Sequence, residues 1–322
     1  MTETVSIGID LGGTTIKMAI VDQQGNIVDK WEIPTDTSNN GRNISQNIAD
    51  SIKEKTENGG WKLKDIDGIG IGAPGFINME NGFIFHAVNL GWKNYPLKDD
   101  LERKTGLKVV VDNDANTAAL GEMWKGAGKQ ASDLICITLG TGIGGGIISN
   151  GTILHGANGM AGEIGHITSI VESGAPCNCG KTGCLETIAS ATGISRIATE
   201  GLEENLSSML YKKWIEKGRV TAEDVFTCAA EGDDWANEVV KTITHHLGLA
   251  IANMANVINP SRIVIGGGVS KAGDHLMAPL KKVFGKYALP RVHVGADFAI
   301  ASLGNDAGVI GSARLLTLRN SN

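Results

Sequence analysis

Apolar residues recur at two spacings along this chain of 322 residues, and the spacing decides which elements it predicts. Short apolar runs closed by glycine or by a turn read as strands. Val5 to Ile9 is the first such run, ending at Asp10, and Ile16 to Val21 is the second. Gln23-Gln24-Gly25-Asn26 reads as a hairpin turn leading to a third strand near Ile27 to Ile33. Ile44, Ile48 and Ile52 recur at helical spacing and predict an amphipathic helix over about residues 42–57. Ile66 to Gly72 reads as a buried strand, broken by Gly72-Ala73-Pro74-Gly75. Lys98 to Lys104 is read as helix, Lys108 to Val111 as strand, and Asp114 to Lys125 as a helix entered from that strand.

The opening theme then returns. Leu134 to Leu139 predicts a strand, Gly140-Thr141-Gly142 a turn and Gly144 to Ser149 a second strand. Asn150-Gly151 is a strong hairpin signal, after which Thr152 to His155 pairs back. Strand, Gly/Thr turn, strand near residue 10 and again near 140 suggests two related halves. Residues 185–258 are expected to be mostly helical, with Thr221 and Asp224 placed as a capping box. Trp235, Val239, Ile243, Leu247, Ile251 and Met254 mark one long buried helical face ending before Pro260. Arg262 to Ile265 is a strand followed by Gly266-Gly267-Gly268, then helices at 271–286 and 306–318. Strands alternating with helices make the fold class α/β.

Composition narrows the choices. The apolar fraction of 42% and the charged fraction of 20% are ordinary globular values, and the length suits two domains. Net charge is −6 with no basic cluster, so nucleic acid is a poor candidate partner. The start Met1-Thr2-Glu3-Thr4 does not resemble a signal peptide, and no apolar run reaches the length of a membrane span. A cytoplasmic protein is expected.

Three glycine-rich turns are candidates for cradling phosphate oxygens with backbone N–H groups: Asp10-Leu11-Gly12-Gly13-Thr14-Thr15, Leu139-Gly140-Thr141-Gly142 and Gly266-Gly267-Gly268. Each alone could be a tight hairpin; three in one α/β chain favour nucleotide binding. Gly140, Gly142 and Gly145 match G-x-G-x-x-G, as do Gly70, Gly72 and Gly75, but no helix follows either set, which excludes a Rossmann site. A Walker pattern fails because Asp274 stands where lysine should follow Gly273. Asp112-Asn113-Asp114 ends a strand and opens a helix. Either aspartate could cap that helix, or accept a proton from a hydroxyl as kinase chemistry requires.

The strongest chemical signal is His166 with Cys177, Cys179 and Cys184. One imidazole and three thiolates complete a tetrahedral zinc site, and four protein ligands leave no position for water, so the ion would be structural. Glu163 and Glu186 flank the set. Cys136 and Cys228 lie in apolar surroundings and read as core, and His245-His246 is given no metal role.

Together these motifs resemble the ROK family of sugar kinases and sugar-responsive repressors, within the actin-like ATPase superfamily, over nearly the whole chain. Asp10-Leu11-Gly12-Gly13-Thr14 resembles its first phosphate motif, Leu139-Gly140-Thr141-Gly142-Ile143-Gly144-Gly145-Gly146 its second, and Gly266-Gly267-Gly268-Val269-Ser270 its adenosine motif. Glu163-Ile164-Gly165-His166 with Cys177-x-Cys179-Gly180-x-x-Gly183-Cys184-x-Glu186 matches its zinc signature. Asn89-Leu90-Gly91-Trp92 and Glu122-Met123-Trp124-Lys125-Gly126-Ala127-Gly128 add a likeness to its glucose-phosphorylating members from Gram-positive bacteria.

The resemblance implies a two-domain, ribonuclease H-like α/β fold. The smaller domain would span 1–115, joined by a C-terminal helix at 305–322, and the larger 116–304 with a structural zinc loop. It implies ATP-dependent phosphorylation of glucose to glucose 6-phosphate, the first step of glycolysis, with Mg2+ on the nucleotide and one Zn2+ per chain. Asp114 would be the general base; Gly75, Asn89, Asn113, Glu163, His166 and Glu186 would bind the sugar alongside it. Asp10 would lie near magnesium, with Gly12, Gly13, Thr14, Lys17, Thr141 and Gly142 at the phosphates and Gly267, Gly268 and Asn305 near adenosine. His166 would use one ring nitrogen on zinc and aim the other at the sugar. A homodimer or larger assembly is implied. The alternatives are a kinase for fructose, N-acetylmannosamine or another hexose, or a non-catalytic sugar-responsive regulator. Nine residues precede Asp10, so the helix-turn-helix that family repressors carry ahead of that motif is not expected.

Overall fold

The computed structural model describes residues 4–319. The chain divides into two compact units. The first holds the residues up to Gln130, then Gly146–Gly162 and the residues from Leu303; the second holds Ala131–Gly145 and Glu163–Ser302.

The first unit opens with the expected hairpins, β1 (Val5–Leu11), β2 (Thr15–Val21) and β3 (Ile27–Pro34). The parallel strand β4 (Ile66–Ala73) follows the helix Ile44–Asn58. A small antiparallel sheet comes next, β5 (Phe76–Asn78), β6 (Phe83–Ala87) and β7 (Trp92–Tyr95), which the apolar pattern did not reveal. Strand β8 (Val109–Asn113) completes the main sheet in the order β3-β2-β1-β4-β8. The β1–β4 and β4–β8 pairs are parallel, which aligns the ends of β1, β4 and β8: Asp10 pairs with Gly72, and Gly72 with Asp112.

The helices Asp114–Lys125 and Ala307–Arg319 pack against each other at glycine-sized distance: a Cβ on Gly311 would stand 1.7 Å from the Thr117 carbonyl oxygen, and one on Gly121 2.1 Å from that of Ala307. That contact places 116–130 in the first unit, so the boundary expected at residue 115 falls inside it. Residues 146–162 also belong to the first unit, and with them the two units are of similar size.

In the second unit β9 (Leu134–Leu139) leads through the Gly140–Gly142 turn into β10 (Ile143–Ser149), along which the chain passes to the first unit. There β10 forms the expected hairpin with β11 (Thr152–Ile153), shorter than the pattern suggested. Back in the second unit, β12 (Arg262–Gly266) pairs in parallel with β9 and with β13 (Asp297–Ile300), the last of these unforeseen. Its core gathers Ile135, Ile137, Ile263 and Ile265 with the buried face of the 25-residue helix Asp234–Ile258. Thr221 and Asp224 form the capping box, and Cys136 and Cys228 are buried, both as expected. The predicted helix at 271–286 begins later, at Asp274, because Gly273 adopts a positive φ of 57° and separates it from a 3-10 turn. Among the described residues no helix is long and apolar enough to cross a membrane.

Candidate functional site

In the first unit the phosphate-loop candidate is the tight β1–β2 connection. The Gly12 N–H donates to the Thr15 carbonyl at 3.1 Å. Thr35 clamps the loop twice: its hydroxyl donates to the Gly12 carbonyl at 2.7 Å and its N–H to that of Thr14 at 2.9 Å. Gly13 faces Asn89, whose Cβ would be 3.2 Å from a Cβ at 13, so the loop and the Val88–Leu90 turn share one wall. Gly75 links β4 to β5 with φ of 100°, and a side chain there would meet the His86 carbonyl at 2.2 Å.

Asp10, next to last in β1, stands opposite Lys17 on β2, with Nζ 3.8 Å from Oδ2. Burial raises the Asp10 pKa above its ordinary value, and Lys17 offsets part of that rise. Its carboxylate rests on Gly308 of the C-terminal helix, where a Cβ would come within 2.8 Å of Cγ.

At the end of β8 the two possible caps resolve in favour of neither aspartate. Asn113 caps the helix, its side-chain oxygen accepting from the N–H groups of Ala115 and Asn116 at 2.9 and 3.3 Å. Asp112 is buried and bonded to His155. Asp114 takes the first helical position, part-exposed, with Oδ1 accepting from the Ala115 N–H at 2.8 Å.

In the second unit Glu186 joins two features that are far apart in sequence. Its Oε2 accepts from the Ile143 N–H at 2.8 Å, directly over Gly142, while its Oε1 lies 3.8 Å from the Cys177 thiol. The ligand atoms of His166, Cys177, Cys179 and Cys184 all lie within 4.8 Å of one another. His166 Nδ1 is 3.6 Å from Cys177 Sγ, and Cys179 Sγ is 3.6 Å from Cys184 Sγ. Zinc–thiolate bonds of about 2.3 Å in a tetrahedron set sulfurs about 3.8 Å apart, so the donor set fits the ion. Burial pushes the Cys184 thiol up to about 12 and raises that of Cys177, while the Lys181 N–H lowers Cys179. A bound cation would hold all three as thiolates. The second imidazole nitrogen of His166, Nε2, faces Glu163 Oε2 at 3.9 Å.

The same unit contains a cavity of about 900 Å³. The Gly140–Thr141 turn and Gly268 line it together with Glu223, Phe226, Lys271 and His275. Its size suits a nucleotide. The preceding Gly267 has φ of 82°, and a Cβ there would sit 2.4 Å from the Leu139 carbonyl oxygen, so the position requires glycine. Thr192 donates to the Thr141 carbonyl at 2.8 Å and the Ala191 N–H to that of Gly140 at 2.8 Å, so the start of the Ala191–Glu200 helix holds the turn.

The family model described as "ROK family" matches residues 6–319. The chain belongs to the ROK family. It is 60% identical over 316 residues to a glucokinase of Halalkalibacterium halodurans, covering 98% of this chain and 96% of the relative. It is also 31% identical over 309 residues to a xylose repressor of Caldicellulosiruptor bescii, covering 95% of this chain and 76% of that protein. Among solved structures, a ROK glucokinase from Streptomyces griseus in complex with glucose and AMPPNP aligns with a TM-score of 0.74 at 34% identity, covering 97% and 98% of the two chains.

In this ROK chain the first unit gathers Asp10, Gly12, Gly13, Thr14, Lys17, Gly75, Asn89, Asn113 and Asp114. The second gathers Thr141, Gly142, Glu163, His166, Glu186, Gly267 and Gly268 with the three cysteines. Asn305, expected near adenosine, lies in the first unit, lining a groove with Lys17 and Lys30, and does not line the 900 Å³ cavity. Sequence reasoning missed Thr35 and His155. A polar residue closing each hairpin, Thr35 after β3 and His155 after β11, was the only signal available for them.

Proposed function

We propose that this chain transfers the γ-phosphoryl group of Mg·ATP to the 6-hydroxyl of glucose, giving glucose 6-phosphate and ADP. The observation that carries this reading is Asp114 at the first position of an asparagine-capped helix, directly after a parallel strand, in a ROK chain 60% identical to a glucokinase.

Phosphoryl transfer is mainly positioning and charge stabilisation. Asp114 accepts the proton of the sugar hydroxyl as its oxygen forms the new bond to phosphorus. The bond from phosphorus to the ADP oxygen breaks, and ADP leaves with its electron pair. Backbone N–H groups at Gly13, Thr14, Thr141 and Gly142 face the phosphates, and the Gly12 N–H closes the first loop on Thr15. Lys17 offsets their charge, and Asp10 would lie near the magnesium that accompanies the nucleotide. Gly268, which lines the 900 Å³ cavity, flanks the adenosine together with Gly267 before it. Asn89, Asn113, Glu163, His166, Glu186 and the backbone at Gly75 hydrogen-bond the sugar.

Zinc, when bound, supplies a fixed anchor for its ligands. His166 would hold it through Nδ1 together with Cys177, Cys179 and Cys184, which leaves Nε2, on the Glu163 side, for a sugar oxygen. We further propose a cytoplasmic homo-oligomer, following the family resemblance.

The test measures ADP release over a panel of hexoses. Glucose should give the highest kcat/KM, and Asp114→Asn should lower kcat at least about a hundredfold. Near wild-type turnover in that variant would remove Asp114 as the base. A preference for fructose or N-acetylmannosamine would replace glucose as the substrate.

A further inference from the structure

Asp112 lies two residues before the proposed base, is 3% exposed, and is given no part in the chemistry above. A buried carboxylate needs compensating donors. Asp112 has three. Its Oδ1 accepts from the Asn113 N–H at 2.8 Å and from Asn116 Nδ2 at 2.9 Å, and its Oδ2 is bonded to His155 Nε2 at 2.7 Å.

Asn116 shows that the carboxylate dictates this arrangement. It is 2% exposed, and with Nδ2 turned to Asp112 its Oδ1 is buried without a partner. A buried acceptor left unpaired is unfavourable. Flipping the amide would set that oxygen against a carboxylate oxygen, which is worse. The side chain therefore serves Asp112 at its own expense.

His155 reaches Asp112 from a backbone that is itself fixed. The Ala161 N–H donates to the His155 carbonyl at 3.0 Å, and the Leu154 N–H to the Ile147 carbonyl at 2.8 Å. On the other side, the Asn113 N–H is held by Asp112 while its side chain caps the helix. The residue that carries Asp114 into the helix is thus pinned at both its backbone and its side chain.

We infer that His155 is a positioning residue for phosphoryl transfer: through Asp112 it fixes Asn113 and so the aim of the Asp114 carboxylate. This rests on the assignment of Asp114 as the base.

The experiment compares His155→Ala, His155→Gln, Asp112→Asn and the His155→Ala/Asp112→Asn double variant in steady-state assays with glucose and ATP, with thermal unfolding measured alongside. Gln keeps an N–H donor near the position of Nε2. His155→Ala should lower kcat about tenfold with KM for ATP changed by less than about twofold, since a misaimed base affects the chemical step and leaves nucleotide binding alone. His155→Gln should return kcat to within about threefold of wild type, and the double variant should lose no more than Asp112→Asn alone, as coupled residues do. Wild-type kcat in His155→Ala would overturn the inference. So would losses that multiply in the double variant, or a loss that follows the unfolding temperature and is not rescued by Gln. If Asp114→Asn is inactive while His155→Ala is normal, only this inference fails. If the wild-type protein phosphorylates no hexose, the underlying reading fails and takes this one with it.

Discussion

Replacing Gly142 with alanine separates the sugar-binding role of Glu186 from its packing. A Cβ at 142 would stand 2.3 Å from Glu186 Oε2 and 3.2 Å from its Cδ. Carbon and oxygen need more than about 3 Å in ordinary contact, so the carboxylate must retreat by roughly 1 Å. That retreat stretches the 2.8 Å bond from the Ile143 N–H beyond hydrogen-bonding range. The obstructing atom is the far end of a flexible side chain, so the swing costs the fold little. It does move a group proposed to hold the sugar. Losing one hydrogen bond to a charged acceptor is worth about 1.5 kcal/mol, or roughly tenfold in affinity.

Gly142→Ala is therefore expected to raise KM for glucose about tenfold while the unfolding temperature stays within about 2 °C of wild type. The assay is a full kinetic matrix in glucose and ATP, with calorimetry on the same preparation. An unchanged KM for glucose would refute the placement of Glu186 on the sugar. A rise confined to KM for ATP would show that the Gly140–Gly142 turn acts on phosphate alone.

Two further predictions concern the metal and acid stability. Protein purified without added zinc should carry about one equivalent per chain by metal analysis, and Cys184→Ala none, with KM for glucose raised; an active, well-folded metal-free protein would contradict the zinc assignment. Asp100 is held down to about 2 against burial by bonds from Lys104, Ser45 and Tyr95, with Arg103 alongside. Because its folded pKa lies below the unfolded value, the stabilisation is complete above about pH 4 and is lost as pH falls towards 2. It amounts to roughly 2 kcal/mol, so Asp100→Asn should lower urea-unfolding stability by that amount at pH 7 and show a shallower decline between pH 4 and 2 than wild type; parallel curves would refute it.

What the sequence revealed follows the range over which each signal acts. Strands β1, β4, β9 and β12 are buried runs of five to eight residues, and their apolar pattern announced them. The small sheet at 76–95 did not announce itself, because its strands have only three to five residues and two of its phenylalanines, Phe76 and Phe85, are about half exposed. The unit boundary was hidden for a different reason. The C-terminal helix was expected with the first unit, but the helix after Asp114 was not: a Cβ on Gly121 would come within 2.1 Å of the Ala307 oxygen, and one on Gly311 within 1.7 Å of the Thr117 oxygen. These contacts join residues about one hundred and ninety positions apart, and no local period encodes them. His155 was missed likewise, since its partner Asp112 is 43 residues away.

The candidate zinc loop was legible because all four donors lie within 19 residues, and its exposure gives a bound metal a structural task there. Residues 171–173 and 178–182 are exposed, Val171 at 85%, so the loop contributes almost no apolar side chain to a core that could fix its shape. Backbone bonds across its turns, such as the 2.8 Å bond from the Cys177 N–H to the Lys181 carbonyl, set the local fold, while Ile170 packed on the core and the 2.8 Å Ser169–His246 bond attach its start and the cysteine turn beyond faces solvent. Cys184 is the exception, fully buried and followed by the buried Leu185. A cation shared by buried Cys184, exposed Cys179 and His166 would tie the loop to that interior point. Glu186, two residues on, would then be located by both the metal loop and the Ile143 N–H. On this reasoning a bound ion would give a polar, solvent-exposed loop the sub-ångström order that sugar recognition needs, and removing it should disorder glucose binding well before it unfolds the unit.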